Sequence, residues 1–281
     1  MRSVVLSLFV LLLCEEACGQ AATQDHSALA ARITEMGAAE TDAAKDSANL
    51  LVKHELRLLL EAHDAFTANF DDIKLSRVDA PDGKFRLFTW NLPYANGSHG
   101  FEGFLVVQEK KRRVLFELRD MSSKITAPTA VELGPDKWYG AVYYTVVPVW
   151  KGGKVYYTLL GWKGQSSIET RKVIDVLSFK GGMPRFGAPL FGEGKVHRQR
   201  EVFGYSFQAS MSLRWDAAMK RIVLDHLSPG RQDLEGQAAF YGPDMSYDAY
   251  VWDKDHWLFQ RDIDARDMDI HKPWNPPPKG R

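Results

Sequence analysis

Cysteine is almost missing from this chain: of 281 residues only Cys14 and Cys18 carry a thiol, and both stand within the first twenty. Those twenty residues have the layout of a secretory signal. Arg2 supplies a short positive start, Val4 to Leu13 form an apolar run too short to span a bilayer, and Ala17-Cys18-Gly19 places small residues where a signal peptidase cuts. Cleavage is expected after Gly19. A lipoprotein, in which a cysteine becomes the acylated N-terminus, fits less well. Cys14 follows Leu13 where a small residue is wanted, and Cys18 comes after Glu15-Glu16, acidic where an apolar residue is wanted. Loss of the signal leaves a mature chain with no thiol. That excludes disulfides, thiolate zinc sites, iron-sulfur clusters and cysteine nucleophiles together.

An excess of either charge is also lacking. Lys and Arg number 36, Asp and Glu 36, so no general attraction to nucleic acid or to an anionic membrane is expected. No apolar run of spanning length follows the signal, and no cofactor motif is found. Gly181-Gly182 and Gly192-Glu193-Gly194 lack the strand-to-helix setting and the Lys-Ser/Thr of a phosphate loop, and read as turns. Stability must come from a core, which 45% apolar residues can build at this length.

What is present is organised in two parts. From Ser27 to about Phe70 the composition favours helix, with Gly37 interrupting two stretches. Leu51, Leu58, Ala62, Ala65 and Phe66 recur at helical spacing, which predicts a helix over Lys45 to Thr67 resting on something larger. After Val78 and a turn at Ala80-Pro81-Asp82-Gly83, short aromatic and β-branched runs follow one another without crossover helices. Strands are expected at Phe85–Trp90, Phe101–Gln108, Val114–Arg119, Ala141–Trp150, Val155–Trp162, Arg171–Phe179, Glu201–Phe207, Ser210–Trp215, Ile222–Leu227, Ala239–Tyr241, Tyr247–Trp252 and Trp257–Arg261. The fold class is therefore mainly β: an antiparallel meander forming a curved sandwich or open barrel, with an N-terminal helical segment. The organisation is a signal peptide over 1–19, a leader and helical segment over 20–78, the β domain over 79–271 and a Pro-rich extended tail over 272–281.

One hairpin can be worked out in register. Gly152-Gly153 between two lysines makes a two-residue loop of the kind that needs positive φ. Lys151 then pairs with Lys154, Trp150 with Val155, Pro148 with Tyr157, Val146 with Leu159 and Tyr143 with Trp162. Both faces carry large apolar side chains, so the hairpin should lie centrally with both faces covered, and the outer side of Pro148 must be an edge or a bulge. Ser210 to Trp215 instead alternates, with Met211, Leu213 and Trp215 inward.

Several of these strands, among them Phe85 to Asn91, Tyr156 to Trp162, Thr170 to Leu177 and Ala209 to Trp215, together with Leu234-Glu235-Gly236-Gln237 and Phe240-Tyr241-Gly242-Pro243-Asp244, are similar to a group of uncharacterised exported proteins of Bacteroidota-type bacteria. The resemblance spans roughly Leu56 to Asp267. It implies a periplasmic or secreted bacterial protein and brings no activity with it.

Candidate chemistry is sparse. Asp175 shares a strand face with Val173, Leu177 and Arg171, which suits either a buried ion pair or an acid-base group in a cleft. His226 shares a face with Ile222 and Leu224, as a hydrogen-bonded core histidine or a base. Serines lie nearby, none in a Gly-x-Ser-x-Gly elbow. Asp262, Asp264, Asp267, Asp269 and His271 match no cation-binding spacing, and Arg261 and Arg266 stand ready as counter-charges; no metal is expected. Asn96-Gly97-Ser98 reads as a turn. Two functions from different classes follow. The first is an exported envelope-associated protein that binds a glycan, lipid or envelope protein through aromatic and Arg-bearing strand faces, with Arg171, Arg214 and Trp162 as ligand-contacting candidates. The second is a periplasmic or secreted hydrolase, which needs Asp175, Asp225, His226 and Glu235 to converge in one pocket. The first also needs Trp90, Trp162 and Trp252 exposed together.

Overall fold

The computed structural model describes residues 26–110, 112–192 and 196–264. The signal and leader, Asp267, Asp269 and His271, and the Pro-rich tail lie outside them. Among the described residues the chain is mostly β: 13 strands in three antiparallel sheets, none of them closed, preceded by two helices. It is a sandwich, not an open barrel.

Helices α1 (Ser27–Ala38) and α2 (Asp42–Glu61) come first. Thr41 caps α2, its hydroxyl accepting from the Ala44 N–H at 3.2 Å. The helix stops at Glu61, short of the expected Thr67. Arg86, from the first sheet, donates to the carbonyls of Ala65 and Ala68 at 3.0 and 2.7 Å, and so holds that stretch as turns. The buried face of α2 also differs from the expected one. Ala48, Asn49, Val52, Leu56 and Leu60 face inward, whereas Leu51 and Leu58 are 43% and 56% exposed. Asn49 explains the rotation of about 100°, one residue's turn. Its carbonyl accepts from Trp90 Nε1 at 2.9 Å and its amide donates to Glu102 at 3.0 Å, so a polar side chain occupies the inward stripe.

The first sheet is β1 (Ser76–Asp79), β2 (Phe85–Pro93), β3 (His99–Glu109) and β4 (Arg112–Arg119), in that order. The second holds β5 (Val142–Lys151), β6 (Lys154–Gly164), β7 (Glu169–Lys180), β8 (Met183–Phe186) and β9 (Glu201–Ser206). Here β8 and β9 lie end to end along one side of β7, against its C-terminal and N-terminal halves. The third runs β10 (Leu213–Asp216), β11 (Arg221–Pro229), β12 (Tyr241–Asp253) and β13 (His256–Gln260). Sequence reading misses the four-residue β1 and β8, and of the strand expected at Ala239–Tyr241 only Tyr241 is strand, as the first residue of β12, after a 3-10 turn over Ala238–Phe240.

These pieces stack in four layers. The helices cover one face of the first sheet through Leu29, Val52, Leu56, Phe88 and Phe104. Its other face packs on the second sheet through Phe85, Leu105, Tyr157 and Leu159. The second sheet's far face meets the third through Leu160, Ile174, Val176, Ile222 and Trp257. The second sheet is thus covered on both sides, which is why β6 and β7 read as nearly unbroken apolar runs.

The hairpin register holds from Lys151↔Lys154 to Val146↔Leu159, with Gly152 and Gly153 at φ 55° and 74°. It then slips. A bulge between Tyr143 and Thr145 pairs Tyr143 with Gly161 and Val142 with Trp162. A Cβ on Gly161 would come within 2.8 Å of the Tyr143 ring, so the bulge lays that ring over the glycine and aims its hydroxyl into the core. Within the hairpin the coverage of both faces holds for β6, whereas β5 is the sheet edge, with Pro148 exposed and Trp150 62% exposed. The strand expected from Ser210 begins only at Leu213, as β10, but the alternation holds through the approach to it, Met211 and Leu213 being buried and Ser210, Ser212 and Arg214 exposed.

Candidate functional site

Asp175 lies on the face of β7 turned toward the first sheet and is wholly buried. Its partner is Arg200, equally buried, whose Nε lies 3.1 Å from Oδ1. Tyr143 donates its hydroxyl to Oδ2 at 2.9 Å, and the Val176 N–H to Oδ1 at 2.8 Å. Arg200 spends its remaining donors on the carbonyls of Pro128, Val131 and Phe186. Arg171 does not reach Asp175. It bonds to Glu169 at 2.7 Å and to the Tyr139 hydroxyl at 2.9 Å. The buried ion pair is therefore made with a residue that sequence spacing could not reveal, since Arg200 sits 25 positions away.

Lys163 occupies the same interface. Its ammonium donates to Ser122 Oγ and to the Gly140 carbonyl, both at 3.0 Å, and lies 4.1 Å from the centre of the Phe101 ring. Burial pushes its pKa down to about 8, Arg171 adds to the depression and Asp120 opposes it. With 2% of its surface exposed it faces no solvent-open cleft.

The remaining sequence candidates are scattered. His226 is on β11 in the third sheet, its Nδ1 2.8 Å from the buried Asp248 and its Nε2 3.9 Å from Asp244. Asp225 accepts the Ser212 N–H at 2.7 Å. Glu235 is exposed after the 3-10 turn Gln232–Leu234, and Arg214 is exposed on β10. Trp162 is half-buried, edge-on to His99 at 5.6 Å. Trp90 is buried, and Trp252 is half-buried against Trp257. Neither the carboxylate-histidine group nor the three tryptophans come together.

A different set of residues does. The loop before β7, the turn after β9, the end of β11 and the start of β12 border an open groove of about 600 Å³. Three large apolar side chains stand out around it: Ile168, Phe207 and Phe240, 64%, 55% and 49% exposed. Tyr241 joins them, its hydroxyl accepting the Gly236 N–H at 3.0 Å. Gln208 and Ser167 add an amide and a hydroxyl that carry no bond to another described residue, and no lining residue is charged. Sequence reading passed these residues over because it placed Phe207 and Phe240 within strands and looked for exposed aromatics among the tryptophans. The signal available was the company each keeps: Ile168 follows Ser166-Ser167, and Phe240 stands between Gly236 and Gly242-Pro243, turn chemistry on every side.

A second cleft of similar size, about 610 Å³, lies between α2 and the first sheet. At one side of it charges pair with one another, Lys53 reaching Glu102 and Glu117 at 2.8 and 2.7 Å. The groove, whose exposed apolar surface and whose Gln208 and Ser167 side chains have no protein partner among the described residues, is the better candidate site.

Comparison with models of protein families, with curated proteins and with solved structures finds no match to this chain.

Proposed function

We propose that this is an exported, envelope-associated binding protein of a Gram-negative bacterium, whose ligand sits in the groove bordered by Ile168, Phe207, Phe240 and Tyr241. One observation carries the reading: three exposed apolar side chains converge on a single open groove, although three cores between the layers were available to take them. Export is supported by the signal layout of residues 1–19 and by the thiol-free chain that would remain. Among the described residues no helix is long and apolar enough to cross a membrane.

Binding is tested by thermal shift of the purified protein against panels of glycans, lipids, nucleotides and divalent cations, in parallel with Phe240→Ala. Stabilisation that disappears in the variant supports the groove. A panel without hits, or hits the variant retains, rejects it. Export is tested by the N-terminus of protein recovered from cells. Gln20 as first residue supports a cleaved signal, an acylated Cys18 makes the protein a lipoprotein, and a retained Met1 overturns export.

One arrangement favours a hydrolytic second reading: Asp248 orients His226 two residues along β11 from Ser228 on the groove wall. Cleavage of a bound ligand that is lost in His226→Asn would establish it.

A further inference from the structure

We infer that the groove takes an uncharged oligosaccharide. The inference rests on the groove being the binding site and assigns its ligand class. The lining carries no charge of either sign, so an anionic ligand, whether a phosphate-bearing headgroup or an acidic polysaccharide, would have to shed its hydration without an ionic partner to replace it. The exposed rings of Phe207 and Phe240 offer flat apolar surface of the kind that covers the C–H face of a pyranose, whose hydroxyls project from the ring edge. Groups able to bond such hydroxyls border the same groove. The Gln208 amide and the Ser167 hydroxyl have no partner among the described residues, and Ser206 adds another hydroxyl. An acyl chain would leave those polar groups unsatisfied and would gain most from an enclosed apolar cavity, which an open groove is not.

The floor of the groove points the same way. Gly230 and Gly242 both line it, and neither is in the positive-φ region that would demand glycine. A Cβ built on Gly230 finds its nearest neighbour at 3.9 Å, and one on Gly242 at 3.7 Å, so the fold itself leaves room for a Cβ at both. Their bareness keeps the groove open where a ring would rest.

The same spare room supplies a test that does not depend on removing a contact. Gly242→Val fills the groove from a strand position where valine is favoured, so the variant should fold with its melting temperature maintained. Titration calorimetry with maltoheptaose, laminarihexaose and chitotetraose should show binding of at least one by the wild type. That binding should weaken by about tenfold or more in Phe240→Ala and in Gly242→Val, by roughly threefold to tenfold in Gln208→Ala, and not at all in Met219→Ala, whose side chain is exposed away from the groove. Parallel titrations use a polygalacturonate oligomer, vesicles of phosphatidylethanolamine with phosphatidylglycerol, and decaproline. If one of these binds in a Gly242→Val-sensitive manner while no neutral sugar does, the ligand class is overturned and the groove stands. If no probe binds, or if binding is unchanged in Gly242→Val and Phe240→Ala, both fall.

Discussion

Arg200 and Asp175 form an ion pair with no exposed surface on either side chain, Nε to Oδ1 at 3.1 Å, at the interface between the first and second sheets. Further partners hold both groups: Tyr143 donates to the carboxylate, and three backbone carbonyls accept from the guanidinium. Removing one partner leaves the other as an uncompensated charge in a dry interior, whereas removing both does not. Arg200→Met should therefore cost about 3–5 kcal/mol in urea unfolding. The double variant Arg200→Met/Asp175→Leu should be less destabilised than Arg200→Met alone. A double variant that is the worse of the two would show that the carbonyl contacts, not the charge pairing, dominate.

Lys163 makes stability depend on alkaline pH. Its ordinary pKa is near 10.5 and burial lowers it to about 8 in the folded protein, so between those values the unfolded chain binds the extra proton. Stability then rises with pH through that window, and below about 8 the gain is absent. Above pH 10 the trend reverses. Burial raises the hydroxyl pKa values of Tyr143, Tyr157 and Tyr250, the unfolded chain ionises them first, and stability falls. Denaturation midpoints measured from pH 7 to 11 should pass through a maximum near pH 9–10, with a rise on the order of 2 kcal/mol that Lys163→Met abolishes. A wild-type profile flat from pH 8 to 10 would contradict this.

Buried hydrogen bonding, as well as apolar packing, ties the second and third sheets. Trp257 Nε1 donates to Thr158 Oγ1 at 3.0 Å, with both residues buried. Thr158→Val keeps the shape and removes the acceptor. It should destabilise by about 1–3 kcal/mol and shift the fluorescence of the buried indole. An unchanged stability would mean that the indole N–H finds another acceptor.

The rotation of α2 separates two leucines that look alike in sequence. Leu56 has no exposed surface and Leu58 is 56% exposed. Leu56→Ala should cost about 2–5 kcal/mol by emptying space against the first sheet, and Leu58→Ala within about 0.5 kcal/mol. Equal losses would place Leu58 in contact with something outside this chain.

Much of the architecture was legible because it is local. Two-residue turn chemistry at Gly152-Gly153 sets the pairing of its hairpin for several residues, and the large apolar side chains on both faces of that hairpin announce the covering of β6 on both sides. What escaped is what depends on tertiary partners. Asn49 turns inward because Trp90 and Glu102 receive it, and no spacing rule within α2 reports that. Tyr143 leaves its register because Gly161 leaves space and Asp175 accepts its hydroxyl. The groove escaped for a related reason. Phe207 and Phe240 are chemically the same as the rings that fill the core, and only their positions just beyond strand ends expose them.

The helices take residues 27–61, the first sheet 76–119, the second 142–206 and the third 213–260, so no layer borrows a strand from another. The order along the chain is also the order of stacking. A polypeptide emerging N-terminus first can finish each layer before the next appears and close it by docking alone, without threading a late strand between two early ones. The surface awaiting cover at each stage is the inner face of the newest sheet, and the segment that covers it is always the next to arrive.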